Sequence, residues 1–345
     1  MRVPPAVKYG GKVDCSPASF LCQENHKDRV KNLQSSKISP QLVLFMGILA
    51  ASTASIFIRY AQVEVPSLAI AAYRMVLSGV ILAPLALPSL RAEMRKLSRN
   101  ELGLALLSGL FLALHFASWI TSLEYTSVAS SVVLVTTAPL WLAILAHLLL
   151  GERITRTTTL GLIIAFAGGI IVGVSDSCVQ TVSGLQCPPL SEFVSGKGFL
   201  GNVLALIGAW TGAGYFLIGR RLRPNFSLTS YVFLVYGVAG LILALMVWVS
   251  ATPVIGFSGQ SYLWLLLLAV FPQILGHSSF NWALGHLPAA YISLPLLGEP
   301  LISTILALLL LNEFPSSIKI FGGLLILAGI VLGSVGQSAE AAPQV

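Results

Sequence analysis

Long apolar runs separated by short polar segments dominate the chain. A helix needs about 20 mostly apolar residues to cross a bilayer, and the sequence contains a series of runs of that length. They cover residues 41–61, 67–88, 102–122, 127–150, 157–175, 199–219, 227–250, 261–283, 288–311 and 316–336. Because the runs are continuous rather than alternating, they exclude a membrane β-barrel. The pattern predicts an all-α integral membrane protein with ten transmembrane helices.

The composition agrees with these runs. Of the 345 residues, 56% are hydrophobic and only 10% are charged, against about 25% charged residues in an ordinary soluble domain. These values exclude a soluble globular enzyme and a disordered protein. The formal net charge of +7 comes from short segments between the runs and forms no basic face or motif, so we expect no nucleic-acid partner.

The basic residues predict the orientation in the membrane. With the N-terminus inside, the inner segments hold all of the 20 Lys and Arg residues except Arg59, Arg74, Lys197 and Lys319. Cytoplasmic segments carry such an excess, so both termini are predicted to be cytoplasmic. Residues 1–40 and 337–345 are expected to be cytoplasmic tails, the first of them flexible. A cell (inner) membrane is the favoured location, with an organelle membrane as the alternative.

The cysteines allow a disulfide but no metal site, and the sequence has no nucleotide-binding motif. Cys178 and Cys187 lie in the predicted outer loop 176–198, where an oxidising space allows a disulfide. Cys15, Cys22 and His26 in the tail do not have a standard zinc spacing, so no metal is expected. No G-x-x-x-x-G-K-[ST] loop is present in the sequence, so ATP-driven pumping is unsupported and no cofactor is expected.

The two halves of the chain match each other at a constant offset of 161 residues. The matching pairs include Gly47 and Gly208, Arg59 and Arg220, Ser118 and Ser279, Pro139 and Pro300, Glu152 and Glu313, and Gly168 and Gly329. The two repeats, 41–175 and 199–336, would have five helices each. Because five is odd, the second copy would enter the membrane upside down, which is an architecture of secondary transporters.

Three segments carry a family resemblance. They are AAYRMVLSG in the second run, TTAPLWLAILAHLLLGERI in the fourth and PLLGEPLISTILALLLLNEFP in the ninth. Together with the ten runs and the duplication, they resemble the paired EamA-type domains of the drug/metabolite transporter superfamily over roughly residues 41–336. The resemblance implies a ten-helix transporter of small metabolites, often an exporter of amino acids or related compounds. It implies no particular substrate.

Two ionisable residues are candidates for the transport site. Glu299 is the one acid in the middle of a run, and Arg74 is the one base well inside a run. Ionisable groups at such a depth are costly, which makes each a functional candidate. We expect Glu299 to exchange protons or to hold a substrate amine, and Arg74 to hold a carboxylate or to pair with Glu299. The alternative is an Arg74–Glu299 ion pair that only fixes helix packing.

Further polar residues are spaced to share helix faces. Gln273, His277 and Asn281 are four residues apart and form one stripe, while His115 and Trp119 share a face of the third run. Such groups make a pocket for an amphipathic small molecule. Weaker candidates for the pathway are Ser52, Ser55, Ser118, Ser122, Trp210, Thr211 and Tyr215.

Other features admit structural interpretations. Glu152 and Glu313 end the fourth and ninth runs and are expected to cap helices or pair with a nearby base, and Arg59 is expected to be an anchor. The spacings Gly169-x-x-x-Gly173 and Gly329-x-x-x-Gly333 allow close helix approach, within the chain or in a homodimer.

The function expected from the whole sequence is a secondary active transporter, an exporter of small metabolites that works by alternating access, with proton coupling left open. The nearest alternative is a sugar-phosphate or nucleotide-sugar exchanger, which would want several bases at midplane to meet phosphate. A membrane-embedded enzyme would want a cluster of acids or histidines at one depth. A channel would want a continuous polar pore.

Overall fold

The computed structural model describes residues 40–95, 97–150, 154–177, 179–181, 184–223, 226–284 and 298–341. The predicted N-terminal tail, with Cys15 and Cys22, lies outside the described residues, and so does Glu152. The C-terminal tail is described as far as Ala341, where the last helix ends, five residues beyond the end predicted for it.

The described residues are helical apart from short connections and one hairpin. The helices are α1 Pro40–Ser52, α2 Ala54–Ala61, α3 Ser67–Met94, α4 Arg99–Tyr125, α5 Val128–Val135, α6 Ala138–Leu150, α7 Arg156–Ser177, α8 Leu190–Ser195, α9 Lys197–Leu222, α10 Leu228–Val249, α11 Gly259–Leu268, α12 Ser278–Leu284, α13 Gly298–Leu311 and α14 Ser317–Ala341. A π-helical segment, Ala269–His277, joins α11 to α12. The strands are β1 Val179–Thr181 and β2 Gly184–Gln186.

Eight helical segments are long and apolar enough to cross a membrane. They are Leu42–Ala61, Ser67–Met94, Arg99–Tyr125, Val128–Leu149, Arg156–Asp176, Lys197–Leu222, Leu228–Val249 and Gly259–Ala283. Two further apolar helices are shorter, Gly298–Leu311 and Ser317–Gly333. The all-α membrane class is thereby confirmed. Residues 285–297, which include the first part of the predicted ninth span, lie outside the described residues.

The surface of the bundle suits a lipid environment. Large apolar side chains such as Leu85, Leu241 and Trp248 are 69%, 73% and 78% exposed. Soluble monomers rarely expose apolar patches larger than a few hundred Å². An apolar outer surface of this kind needs a lipid or detergent solvent.

Three of the predicted spans are less regular than the sequence suggested. The first is broken at Thr53, whose hydroxyl donates to the carbonyl of Ala50 at 2.7 Å. The fourth is broken at 136–137, where the Thr137 hydroxyl donates to the carbonyl of Leu134 at 2.6 Å. Threonine hydroxyls compete in this way for helix carbonyls. The eighth contains the π-helical segment with Pro272, which has no backbone N–H to donate.

The predicted outer loop contains regular structure. Strands β1 and β2 pair antiparallel, with Val179 opposite Gln186, and α8 follows them. Cys187 is disulfide-bonded. Its predicted partner Cys178 lies outside the described residues. The loop is therefore a small folded element between α7 and α9.

Helix α7 packs along α14, α4 along α9 and α3 along α10. Helices α7 and α14 run antiparallel, since Thr158 donates to the carbonyl of Gly333 at 3.2 Å while Gly168 lies against Gly322 ten residues further along α7. A Cβ on Gly168 would come within 2.6 Å of the Gly322 carbonyl oxygen. This crossing needs glycine because the two backbones touch. Of the predicted glycine motifs, Gly329-x-x-x-Gly333 lies in this crossing with both of its glycines.

Candidate functional site

Arg74 lies at the centre of a buried polar cluster. Its side chain on α3 is fully buried, and its Nε donates to Oε1 of Gln273 at 2.7 Å. The guanidinium carbon lies 4.0 Å from the ring centroid of Phe116 and 5.7 Å from that of Trp119, which is cation–π geometry. Its two terminal nitrogens have no hydrogen-bond partner among the described residues. The structure thus holds the side chain in place and leaves two charged donors unused.

Helix α4 supplies an aromatic wall around the guanidinium. The His115 ring lies 6.0 Å from the Trp119 ring and 6.3 Å from the His277 ring, and Phe116 lies 5.2 Å from His277. His115 Nδ1 lies 2.7 Å from the carbonyl oxygen of Gly208 on α9. Trp119 Nε1 has no partner among the described residues, so it adds a third unused donor.

The predicted stripe of Gln273, His277 and Asn281 faces the interior. Gln273 and Asn281 are fully buried. Gln273 Nε2 and His277 Nδ1 lack partners within the described part of the chain. Asn281 Nδ2 donates to the Tyr215 hydroxyl at 2.5 Å and to the carbonyl of His277 at 2.8 Å. The π-helical segment carries Gln273 and His277, and π-helical turns are frequent at functional sites.

Glu299 stands apart from the cluster. It lies in the first turn of α13 and is partly buried. Among the described residues it makes no ion pair with Arg74 within 4.0 Å, although the two charges interact electrostatically over a longer distance. The packing partner of Arg74 is therefore Gln273, and the carboxylate of Glu299 is left for another contact.

The structure brings five of the seven predicted site residues into one cluster around the Arg74 guanidinium. They are Arg74, His115, Trp119, Gln273 and His277. Asn281 joins it through His277 and Tyr215. We call this set the Arg74 cluster. Its unused atoms are mainly N–H donors, and buried donors without partners are rare in native structures. An acceptor such as a carboxylate fits them.

Several weaker candidates have only local partners. The hydroxyls of Ser52, Ser118 and Thr211 donate to the carbonyls one turn earlier in their own helices, which is ordinary behaviour in membrane helices. Trp210 is 54% exposed and packs on Trp141. It therefore faces outward rather than toward the cluster.

Sequence reasoning missed two aromatic residues and one arginine. Phe116 lies directly against the Arg74 guanidinium. The hydroxyl oxygen of the buried Tyr236 lies 3.4 Å from Ser278 Oγ. Nothing in their apolar surroundings in the sequence marks them. Arg223 is one of the bases that the sequence places in an inner segment between two runs, but it is buried and its Nε donates to the carbonyl of Asn281 at 3.0 Å. Burial lowers the pKa of its guanidinium.

A second group of polar residues lies where α2, α4 and α7 end and where α9 and α14 begin. We call this side of the bundle the ion-pair end. Arg59 Nη2 lies 2.6 Å from Glu313 Oε1, and Lys319 Nζ lies 2.7 Å from Asp176 Oδ1. Glu313 thus pairs with a nearby base, as its position suggested. A cavity of about 450 Å³ is lined by both ion pairs and by Glu124, Thr304 and Ala307, among others.

These features define a multi-pass helical membrane protein with a polar cluster enclosed by its helices. Comparison with protein families identifies the class further. The EamA-like transporter family matches residues 38–174 and again residues 199–335. The chain therefore belongs to the EamA-like transporter family, within the drug/metabolite transporter superfamily.

Curated relatives and a solved structure agree. The chain is 27% identical to an uncharacterised transporter of Archaeoglobus fulgidus, over 88% of this chain and 99% of the relative. It is 24% identical to one from Clostridium kluyveri, over 74% and 79% of the two chains. A crystal structure with 17% identity superposes with a TM-score of 0.60, covering 88% of this chain and 99% of that one. The likeness to the crystal structure concerns the fold alone.

Proposed function

We propose that the protein is a secondary active transporter that exports small carboxylate-bearing metabolites, such as amino acids, by alternating access. In this proposal Arg74 holds the substrate carboxylate. Glu299 holds the substrate amine or carries a proton. The aromatic rings of Phe116, Trp119 and His277 surround the apolar part of the substrate.

The observation that carries the proposal is the set of unused donors in the Arg74 cluster. Arg74 comes from the first family match, while Gln273 and His277 come from the second. A substrate bound there would contact both repeats, as alternating access requires. The permanent charge of Arg74 has no acid within ion-pair distance among the described residues. A bound carboxylate would supply the missing acceptor.

The packing supports ten helices in two inverted repeats. The family matches begin at residues 38 and 199 and end at 174 and 335, so the copies are offset by 161 residues. A Cβ on Gly47 would lie 2.7 Å from Ser279, and one on its repeat mate Gly208 would lie 3.5 Å from Ser118, the mate of Ser279. Mutual contacts of this kind are expected from a pseudo-twofold axis between the repeats.

The crossing of α7 and α14 has the same property. Gly161 contacts Gly329, and Gly168 contacts Gly322. Gly322 and Gly329 are the repeat mates of Gly161 and Gly168, so each glycine lies against the mate of the other. An antiparallel crossing of two equivalent helices supports an inverted relation between the repeats.

The charge distribution supports an orientation in which the ion-pair end faces the outside of the cell. The Lys and Arg residues at the opposite end of the helices, such as Arg91, Arg95, Arg156 and Arg221, outnumber those at the ion-pair end. Cytoplasmic sides carry that excess. Both termini would then be cytoplasmic.

The proposal is tested by uptake into proteoliposomes of a panel of labelled amino acids, with and without an imposed pH gradient. Saturable uptake that the gradient accelerates is expected for a proton-coupled carrier. Saturable uptake indifferent to the gradient would retain the carrier and remove proton coupling. No uptake of any amino acid by folded protein would overturn amino acids as the substrates, and sugar phosphates, nucleosides and amphiphilic drugs would be the next panel.

A further inference from the structure

We propose that the two ion pairs at the ion-pair end form a gate of the transport cycle. In this structure the pairs Arg59–Glu313 and Asp176–Lys319 are closed. They shut the Arg74 cluster off from that side of the membrane, and both pairs break when the transporter opens there. The proposal rests on the proposed transport function for its meaning, but its main test needs no substrate.

Both pairs join the first repeat to the second. Arg59 lies near the end of α2, inside the first family match, and Glu313 follows α13 in the second. Asp176 lies near the end of α7, two residues beyond the first family match, and Lys319 lies at the start of α14 in the second. A motion that carries the ends of α2 and α7 away from residues 313–319 therefore separates each acid from its base. Contacts within one repeat would not respond in this way.

The acids of both pairs also hold the start of α5. Glu313 Oε2 accepts from the backbone N–H of Val128 at 2.9 Å. Asp176 accepts from the hydroxyls of Thr126 and Ser130 at 3.1 and 2.9 Å. Helix α5 is a half-helix that ends at the 136–137 break. The gate thus fixes a short, discontinuous helix, the kind of element that forms substrate sites in transporters of this architecture.

Helix α5 connects the gate to the Arg74 cluster. Its eight residues rise by about 12 Å. At the inner end a Cβ on Gly208 would lie 3.3 Å from Val135, and the carbonyl of the same Gly208 lies 2.7 Å from His115 Nδ1. Displacement of α5 at the gate therefore reaches a residue that holds the aromatic wall in place.

The cavity between the ion pairs supplies the path. It is lined by Thr304 and Ala307 of α13, and Glu299 lies at the start of the same helix. Below the cavity, Ser303 donates to the carbonyl of Ser52 at 3.0 Å, and its side chain is almost fully buried. Opening the gate would separate α13 from α1 and α2 and expose Ser303.

The two pairs differ in how far water reaches them. The Arg59 and Glu313 side chains are 31% and 22% exposed, whereas those of Lys319 and Asp176 are 13% and 6% exposed. Ion pairs that water reaches are individually weak, because solvent replaces the lost partner, so Arg59–Glu313 can break and reform in every cycle. Separating the more buried Asp176–Lys319 pair costs more, so this pair holds the gate closed more strongly.

Thiol labelling tests the gate directly. A Ser303→Cys chain is exposed to a membrane-impermeant methanethiosulfonate reagent from the ion-pair side, with the chain lacking this thiol as the blank. We expect slow labelling, and labelling at least about tenfold faster when Glu313→Gln and Asp176→Asn are combined. Glu192→Gln, an exposed acid on α8, is the matched control and should leave the rate unchanged.

Two further variants separate gating from misfolding. In an Asp176→Asn chain, the reversed pair Arg59→Glu with Glu313→Arg restores the attraction. We expect Ser303→Cys to be labelled more slowly in this chain than in the chain with Glu313→Gln and Asp176→Asn. Cross-linking Arg59→Cys to Glu313→Cys with a bis-methanethiosulfonate reagent, which spans the gap that the long Arg and Glu side chains fill, should stop transport. Reduction of the cross-link should restore transport, with the unchanged chain as the control for reduction at Cys187. Slow labelling after both acids are neutralised, or full transport by the cross-linked chain, would overturn the gate. Because labelling needs no substrate, the labelling rates would still support or overturn the gate if no compound of the uptake panel were transported.

Discussion

At Arg74 a permanent positive charge lies inside the bundle, and the described residues provide a hydrogen-bond partner for only one of its three nitrogens. Removing such a charge from water costs several kcal/mol. The ring of Phe116 offsets part of this cost by about 2 kcal/mol or less. Under the proposed function, a charge with so few partners among the described residues gains one when substrate binds, which makes Arg74 the residue to change first.

Arg74→Lys should weaken substrate binding while the chain still folds. Lysine retains the charge but loses the planar fork that holds a carboxylate through two parallel hydrogen bonds. Losing one charge-assisted hydrogen bond costs about 1.5–3 kcal/mol, so we expect KM for uptake to rise by about tenfold or more. Arg91→Lys, at an exposed position on α3, is the matched control. An unchanged KM in Arg74→Lys would remove the carboxylate contact from the proposal.

Glu299→Gln tests proton coupling at a single residue. The substitution keeps the shape of the side chain and removes its ability to exchange a proton. If Glu299 couples protons to transport, uptake by Glu299→Gln should persist without a pH gradient and should no longer be accelerated by one. Comparison with Glu192→Gln controls for the loss of a negative charge. Acceleration equal to that of the unchanged protein would exclude Glu299 as the coupling residue.

At the scale of elements, the apolar runs predicted most helices to within a few residues. The run 102–122 became α4 Arg99–Tyr125, and 199–219 became α9 Lys197–Leu222. Hydrophobicity reports how long a helix is, but not how its backbone hydrogen bonds are arranged. For that reason the π-helical segment Ala269–His277 and the break at 136–137 were missed.

The Arg74 cluster was only partly predictable for a similar reason. A charged or polar residue inside an apolar run stands out, so the sequence singles out Arg74 and the stripe at Gln273 and His277. Phe116 was missed because an aromatic residue in an apolar helix is not distinctive, and its contact with Arg74 depends on how α3 packs against α4. The distance that separates Glu299 from Arg74 likewise follows from packing rather than from spacing along the chain.

The crossing of α7 with α14 gives a prediction about stability. In Gly329→Ala the added Cβ would lie 2.5 Å from the Gly161 carbonyl oxygen and 2.7 Å from the Ala165 nitrogen. Overpacking of this kind costs about 1–3 kcal/mol. We expect a lower Tm in detergent for Gly329→Ala.

Gly237→Ala is the matched control for this change. Gly237 lies in the interior of α10, and a Cβ there would meet no atom within 4 Å. Alanine is favoured over glycine inside a helix by about 0.5–1 kcal/mol, so Tm should stay constant or rise. Equal melting temperatures for the two variants would show that α7 and α14 do not approach as closely as described.

At the scale of the whole molecule, the repeat makes one chain into two related units that meet at the Arg74 cluster and at the ion-pair end. The matched glycine contacts of α7 with α14, and those of Gly47 with Ser279 and of Gly208 with Ser118, place equivalent surfaces against each other. In the proposed inverted arrangement, two nearly equivalent halves would exchange roles across the membrane and give two states of similar free energy. The sequence repeat predicts this arrangement but not which residues touch.

The orientation of the molecule can be tested with two exposed positions. Phe314 lies at the ion-pair end, and Asn100 lies near the start of α4 at the opposite end. In a Cys15→Ser, Cys22→Ser background, we expect an impermeant maleimide to label Phe314→Cys in intact cells and Asn100→Cys only after permeabilisation. Seven predicted spans separate the two positions. Labelling from the same side would therefore contradict the ten-helix fold, whereas exchanged sides would retain the fold and contradict only the cytoplasmic termini.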